Sequence, residues 1–238
     1  MMEQQEKLMA RVIDIFAQTF DKKAVLRGGM VLRLLGASRC TNDLDYLFVP
    51  YRSKKDIVDG ILDCLKQIEG AQVSHSMNSK CLRVVVATDE ATIQVEAKVA
   101  MQALASPITT RNISAQYGLP SRIINIVELS VALANKLAAW NERRLVRDIY
   151  DICFYLQMNI KPAEKTLLQR LKKPSYSRLV RKDDHFAGSS LAEFYTFLRQ
   201  KCADLTADDI RAELSGYLPS DEIDGLDLMF RATLTKLS

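Results

Sequence analysis

The chain has 238 residues, 48% of them hydrophobic and 26% charged, with a formal net charge of +4 at pH 7. That composition excludes global disorder and supplies a substantial core, in one large domain or two small ones. The mild basic excess admits an acidic partner such as nucleic acid without demanding one.

Five scattered cysteines without a Cys-x-x-Cys pair point to reduced thiols, and two distant histidines, His75 and His185, leave no local zinc or His-Glu-x-x-His site. Glu3, Gln4, Gln5 and Glu6 stand where a secretory leader would be basic and then apolar, and no apolar run reaches membrane-spanning length. The expectation is a soluble cytoplasmic protein with no membrane partner.

In chain order, Leu8, Val12, Ile15, Phe16 and Phe20 recur at helical spacing, so a helix is expected over residues 4 to about 20. A short apolar run, Ala24, Val25 and Leu26, stops at Gly28 and Gly29, and a helical pattern resumes at Met30: strand, glycine turn, helix. Residues 43–49 are strand formers closed by Pro50, and Ser53 with Asp56 resembles a helix start, predicting a helix to about residue 69. Three strands are predicted at residues 71–77, 81–88 and 92–99. Residues 106–120, with Pro107, Gly118 and Pro120, read as irregular and as the domain boundary. From about Val127 the texture becomes helical, through Leu129, Leu133, Leu137 and Trp140 and then Ile149, Ile152, Phe154 and Leu156.

Asp43 and Asp45 are separated by one residue on a predicted strand, so both carboxylates project from one face while Leu44 points to the other. Two such charges about 4 Å apart repel by roughly 4 kcal/mol at an effective dielectric near 20, a cost that a divalent cation offsets. Taken alone, an Asp-x-Asp is more often a solvated strand end. Glu96 falls on the polar face of a later strand with Gln94 and Lys98; a surface ion pair is its plain alternative. The Gly28-Gly29 turn is a place where backbone N–H groups can meet phosphate oxygens, or simply a tight turn. Lys136, Arg143 and Arg147 would share one stripe of a continuous helix, with Asn141 as a candidate interruption; the plain alternative is a solvated helix with Arg144–Asp148 and Arg147–Asp151 pairs.

The run Leu26-Arg-Gly-Gly-Met-Val-Leu-Arg-Leu-Leu followed by Thr41-Asn-Asp-Leu-Asp-Tyr resembles the glycine and Asp-x-Asp motifs of the nucleotidyltransferase-like AbiEii/AbiGii toxin family of bacterial toxin-antitoxin systems. Val95-Glu96 resembles the family's later acidic strand. Leu133-Ala-Asn-Lys136-Leu with Arg143 and Arg147-Asp148-Ile-Tyr-Asp151 resembles its Lys and Arg-Asp-x-x-Asp helical motif. The likeness covers roughly residues 24 to 156; Met30, where small polar residues are usual, and Asn42 depart from it.

The resemblance implies an α+β fold with an α/β-type core: a nucleotidyltransferase-type mixed sheet over residues 1–120, and a mainly helical part over 121–238 that completes the cleft. It implies transfer of NMP from an NTP, with Mg²⁺ (or Mn²⁺) held by Asp43, Asp45 and Glu96. Gly28, Gly29, Lys136 and Arg147 would meet the nucleotide, and Asp148 would position nucleotide, metal or Lys136. Replacing Lys136 would then lower turnover with little loss of stability. The implied partners are an antitoxin protein and an RNA acceptor, first of all the 3′ end of tRNA, with a protein or small-molecule acceptor, or a non-catalytic nucleotide-binding module, as alternatives. Arg170, Lys172, Lys173, Arg178, Arg181 and Lys182 form the densest basic stretch and are the candidate RNA contact, with a solvated surface as the plain alternative.

Overall fold

The computed structural model describes residues 2–175, 185–188 and 190–237. Arg178, Arg181 and Lys182 of the basic stretch lie outside the described residues. The chain forms two compact units, Met1–Glu128 and Leu129–Ser238.

The first unit is a seven-stranded mixed sheet in the order β3-β4-β5-β2-β1-β7-β6. The strands are β1 (Ala24–Arg27), β2 (Asp43–Phe48), β3 (Gln72–Met77), β4 (Leu82–Ala87), β5 (Thr92–Val99), β6 (Ala105–Thr109) and β7 (Ile123–Val127). β2 runs antiparallel to β1 and parallel to β5, and β1 runs parallel to β7; the other pairs are antiparallel.

Helix α1 (Met2–Phe20) follows its predicted apolar spacing and buries Leu8, Met9, Val12, Ile13, Phe16 and Phe20. Its aromatic residues meet the inner face of β2: the ring centroid of Phe16 lies 5.0 Å from that of Tyr46 and 5.9 Å from that of Phe48, and Phe20 lies 5.0 Å from Phe48. β2 therefore alternates strictly, with Leu44, Tyr46 and Phe48 buried and Asp43, Asp45 and Leu47 half-buried on the opposite face. Burial holds the Tyr46 hydroxyl well above its usual range, so it stays protonated.

Two short helices follow the glycine and proline signals. α2 (Gly29–Leu34) begins at the glycine pair, and Met30, the departure from the family motif, is fully buried there as a packing residue. Ser53 and Asp56 do form the predicted capping box, but on a 3-10 turn, and the helix proper, α3 (Val58–Leu65), ends four residues short of the expected 69. The stretch expected to be irregular holds the edge strand β6 and the short helix α4 (Arg111–Ser114). The first unit extends to Glu128, past the expected 120, because Ile123–Val127 pairs with both β6 and β1.

The second unit is helical, with α5 (Leu129–Arg143), α6 (Val146–Gln157), α7 (Glu164–Lys172), α8 (Leu191–Ala203), α9 (Ala207–Leu214) and α10 (Leu226–Leu234). Its core gathers Leu133, Leu137, Trp140, Ile149, Ile152, Phe194, Leu198 and Phe230. The continuous helix implied by the Lys136, Arg143 and Arg147 stripe does not form. The break falls at Arg144, whose φ of +55° turns the chain, and not at Asn141, which stays within α5. Arg144 donates to the Trp140 and Asn141 carbonyls and lies 4.1 Å over the Trp140 ring. The Glu213 carboxylate then accepts from the first N–H groups of α6, at Val146 and Arg147.

All five cysteines are free, and burial pushes the Cys64 thiol up to about 11 and the Cys202 thiol up to about 12. No helix among the described residues is long and apolar enough to cross a membrane.

Because Phe16 is the fully buried knob that joins α1 to β2, Phe16→Ala should destabilise the protein by about 3–5 kcal/mol. The exposed Leu228→Ala should change stability by less than about 0.5 kcal/mol. Urea unfolding of both variants beside the parent checks this, and equal midpoints for Phe16→Ala and the parent would contradict the packing.

Candidate active site

In the first unit, the candidate residues lie on the half-buried face of the sheet. Parallel pairing of β2 with β5 sets Asp43 beside Gln94, Asp45 beside Glu96 and Leu47 beside Lys98; antiparallel pairing with β1 sets Arg27 beside Asp45 from the other side. Asp43, Asp45 and Glu96, three sequence-predicted residues, thus share one face of two adjacent strands. Thr41 donates to the Asp43 carboxylate at 2.9 Å, an orienting contact whose only trace in the sequence is a hydroxyl two residues ahead of the first aspartate.

The glycine pair lies directly against this face. Gly28 has φ +80° and ψ −155°, a conformation that only glycine adopts readily, and a Cβ there would stand 2.5 Å from Asp45 Oδ2. At Gly29 a Cβ would stand 2.8 Å from Thr41 Oγ1 and 3.0 Å from Arg39 Nη2. The glycines therefore give the chain room to pass beneath the Asp-x-Asp strand. Arg39, buried beside Gly29, adds a cation that sequence reasoning missed, since a single Arg in a loop carries no periodic signal.

Glu96 is already engaged: Arg83 on β4 donates to its Oε1 at 2.8 Å and Gln94 at 3.0 Å. Among the described residues no three His, Cys, Asp or Glu side chains converge as a ready-made metal cage. The two-aspartate arrangement still suits a hard cation, because Mg²⁺ is commonly held by one or two carboxylates, with waters and substrate phosphates completing its shell. Burial and the neighbouring Arg27 hold the Lys98 ammonium below the usual lysine range, while Asp45 and Glu96 pull it back up.

The second unit gathers the other predicted residues into a buried charge cluster. Asp148 and Asp151, one α6 turn apart, have fully buried side chains. Lys136 on α5 lies 2.5 Å from Asp151 and 3.6 Å from Asp148, and Arg143 closes a two-pronged contact on Asp148, both distances 2.6 Å. Asp148 thus holds Arg143 and Lys136 in place. Lys136 is only 16% exposed, so the picture of a stability-neutral surface lysine gives way to one of a cation that compensates two buried anions.

Arg147 is not brought to this cluster: it donates to the Tyr217 hydroxyl at 3.0 Å. Arg170 donates to Asn135 and to the buried Glu142, both at 2.7 Å, while Lys172 and Lys173 are exposed.

Residues 11–231 match the family model described as nucleotidyl transferase AbiEii toxin, type IV TA system, reaching well beyond the motifs that end near residue 156. No curated protein matches the chain. Among solved structures, JHP933 from Helicobacter pylori is similar at 16% identity with a TM-score of 0.56, covering 98% of this chain and 90% of that one. MenT4, a nucleotidyltransferase toxin from Mycobacterium tuberculosis H37Rv, is similar at 18% identity with a TM-score of 0.53, covering 97% and 92%. At such identities the likeness carries the fold, a mixed sheet with flanking helices of nucleotidyltransferase type. The family model, spanning nearly the whole chain, carries the rest: this protein belongs to the AbiEii nucleotidyltransferase toxin family of type IV toxin-antitoxin systems.

Proposed function

We propose that the enzyme transfers a nucleoside monophosphate from an NTP to the 3′ end of an RNA, tRNA before others, and that a separate antitoxin protein restrains it. The observation that supports this reading is the placement of Asp43 and Asp45 side by side on the half-buried face of β2, with the Gly28 backbone against Asp45.

In this reading Asp43, oriented by Thr41, and Asp45 hold Mg²⁺ or Mn²⁺, and Glu96 joins them on release from Arg83. The bound ion neutralises triphosphate charge and favours loss of pyrophosphate. Gly28 and Gly29 let the nucleotide approach the backbone closely, and Lys136 presents a positive charge fixed by Asp148 and Asp151. With Arg170 and Arg147 engaged within the protein, Lys172 and Lys173 carry the described part of the RNA contact. Incubation with each α-labelled NTP, Mg²⁺ and total tRNA, total protein or a metabolite extract tests the acceptor: label is expected at RNA 3′ ends, and label in protein or small molecules instead would replace RNA as the acceptor.

Asp43→Asn with Asp45→Asn should leave the fold intact, as both side chains lie on the half-buried face, and remove Mg²⁺-dependent NTP binding. Calorimetry that found Mg·NTP affinity unchanged would remove the metal from these residues.

Lys136→Ala should lower both activity and stability. Turnover is expected to fall at least about tenfold, roughly 1.4 kcal/mol of barrier. Stability should fall by about 3 kcal/mol, because Asp151 loses the cation that compensates its burial. An unchanged melting temperature would contradict the buried cluster.

Lys172→Ala, Lys173→Ala and Arg178→Ala together should weaken tRNA binding and flatten its salt dependence by up to roughly 0.7 to 0.9 log units for each phosphate that is no longer neutralised. NTP binding should be unaffected. An unchanged salt slope would move the RNA contact elsewhere.

A further inference from the structure

Several cations of the first unit pair with its own anions. Arg33 is held by Glu6, Arg122 by Asp14 and Arg83 by Glu96. Two on the face of the candidate site do not. Arg27, the last residue of β1, is the register partner of Asp45; Lys98, on β5, is the partner of Leu47, one side-chain step beyond Glu96. Both are half-buried, and among the described residues neither side chain closes an ion pair, although Arg27 lies beside Asp45 in the register and the Asp45 and Glu96 charges attract the Lys98 ammonium. They flank β2 from its two sides, two strand spacings apart and two residues apart along the strand, so their backbones stand about 12 Å apart. Long side chains from that separation can converge on one ligand lying over Asp45.

Arg27 and Lys98 repel one another across Asp45, and an anion arriving between them offsets that penalty. Asp43 and Asp45 do not fill that role once a divalent ion lies on them. The anion must then carry several charges within the span of one strand, which a single phosphodiester or carboxylate does not.

We propose that Arg27 and Lys98 are the side chains that grip the polyphosphate tail of the NTP, from opposite sides of the Asp-x-Asp strand. This rests on the reading of Asp43 and Asp45 given above and assigns to the same site its triphosphate-selective residues. It accounts for an arginine placed immediately before Gly28: the conformation that brings the backbone beneath Asp45 also sets the preceding side chain beside the Asp45 carboxylate. The two cations discriminate by charge, favouring a triphosphate over a monophosphate of the same nucleoside.

The test is calorimetric titration of the full chain with each ribonucleoside triphosphate and monophosphate in Mg²⁺. The proteins compared are the parent, Arg27→Gln, Lys98→Gln, the double variant, and the charge-conserving pair Arg27→Lys with Lys98→Arg. Each neutral substitution should weaken NTP binding about tenfold and the double about a hundredfold, with monophosphate binding changed by less than about threefold. The charge-conserving pair should stay within about threefold of the parent, and inorganic tripolyphosphate should displace NTP from the parent but not from the double variant.

NTP affinity within about threefold of the parent in the double variant overturns the proposal. So does an equal loss for triphosphate and monophosphate, or a loss confined to RNA binding. Should the double variant fail to fold, the single variants and tripolyphosphate displacement from the parent give the same decision. A parent that binds no NTP in Mg²⁺ removes the Asp43 and Asp45 reading itself, whereas parental binding that the neutral variants leave intact removes only the cations.

Discussion

The alternation of a single strand, β2, ties the core of the first unit to the face that carries its candidate carboxylates. Leu44, Tyr46 and Phe48 lock against Phe16 and Phe20 of α1, and because successive side chains leave a strand on opposite faces, that packing aims Asp43 and Asp45 the other way. A one-residue slip would bury both carboxylates under α1 and expose three large apolar side chains, an exchange costing far more than the fold's marginal stability can absorb. The aspartates therefore need no contacts of their own to be placed; Thr41 and the Gly28 backbone refine an orientation that the aromatic core has already imposed.

The second unit places its charges by a different principle. Asp148 and Asp151 are buried outright, which is tolerable only with charged partners and well-formed hydrogen bonds. Arg143 and Lys136 supply them from α5, and the turn at Arg144 is what folds α6 back so that residues distant in sequence meet. Lys136 consequently has a fixed position and a low-dielectric setting, the conditions under which a positive charge acts most strongly on a nearby phosphate. On the proposed reading its structural and chemical roles are inseparable, because the carboxylates that hold it in place are the ones it compensates.

The basic residues divide into those that serve the fold and those that do not. Arg33, Arg122, Arg143, Arg144, Arg147 and Arg170 each end in protein partners, and several of them anchor one helix to another element. That division matters more than the net charge of +4, since an arginine that donates to a buried glutamate is held away from a phosphate whatever the total. Arg27 and Lys98 remain on the sheet face, and Lys172 and Lys173 on the surface of the helical unit.

What the sequence determined by itself were the features written in short-range periodicity and in residues of special geometry. The α1 helix, the strands around Asp43, Asp45 and Glu96, and the glycine turn that begins α2 follow from a period of 3.6, a period of 2 and the absence of a Cβ, and each is decided within about ten residues. The tertiary structure decided everything that depends on partners far along the chain. Residues 105–109 and 123–127 are strands because they pair with each other and the latter also with β1, although Pro107, Gly118 and Pro120 suggested that residues 106–120 are irregular. The break between α5 and α6 is set by Arg144 against Trp140 and Phe197, not by a helix-breaking residue. Lys136, Asp148 and Asp151 read as a solvated helix surface until α5 and α6 close on each other and exclude water from them. Glu96 reads equally as a metal ligand or as half of a surface ion pair until the β4 register delivers Arg83 to it. Local rules give the direction in which a side chain leaves the backbone, and only packing supplies the neighbour that it meets.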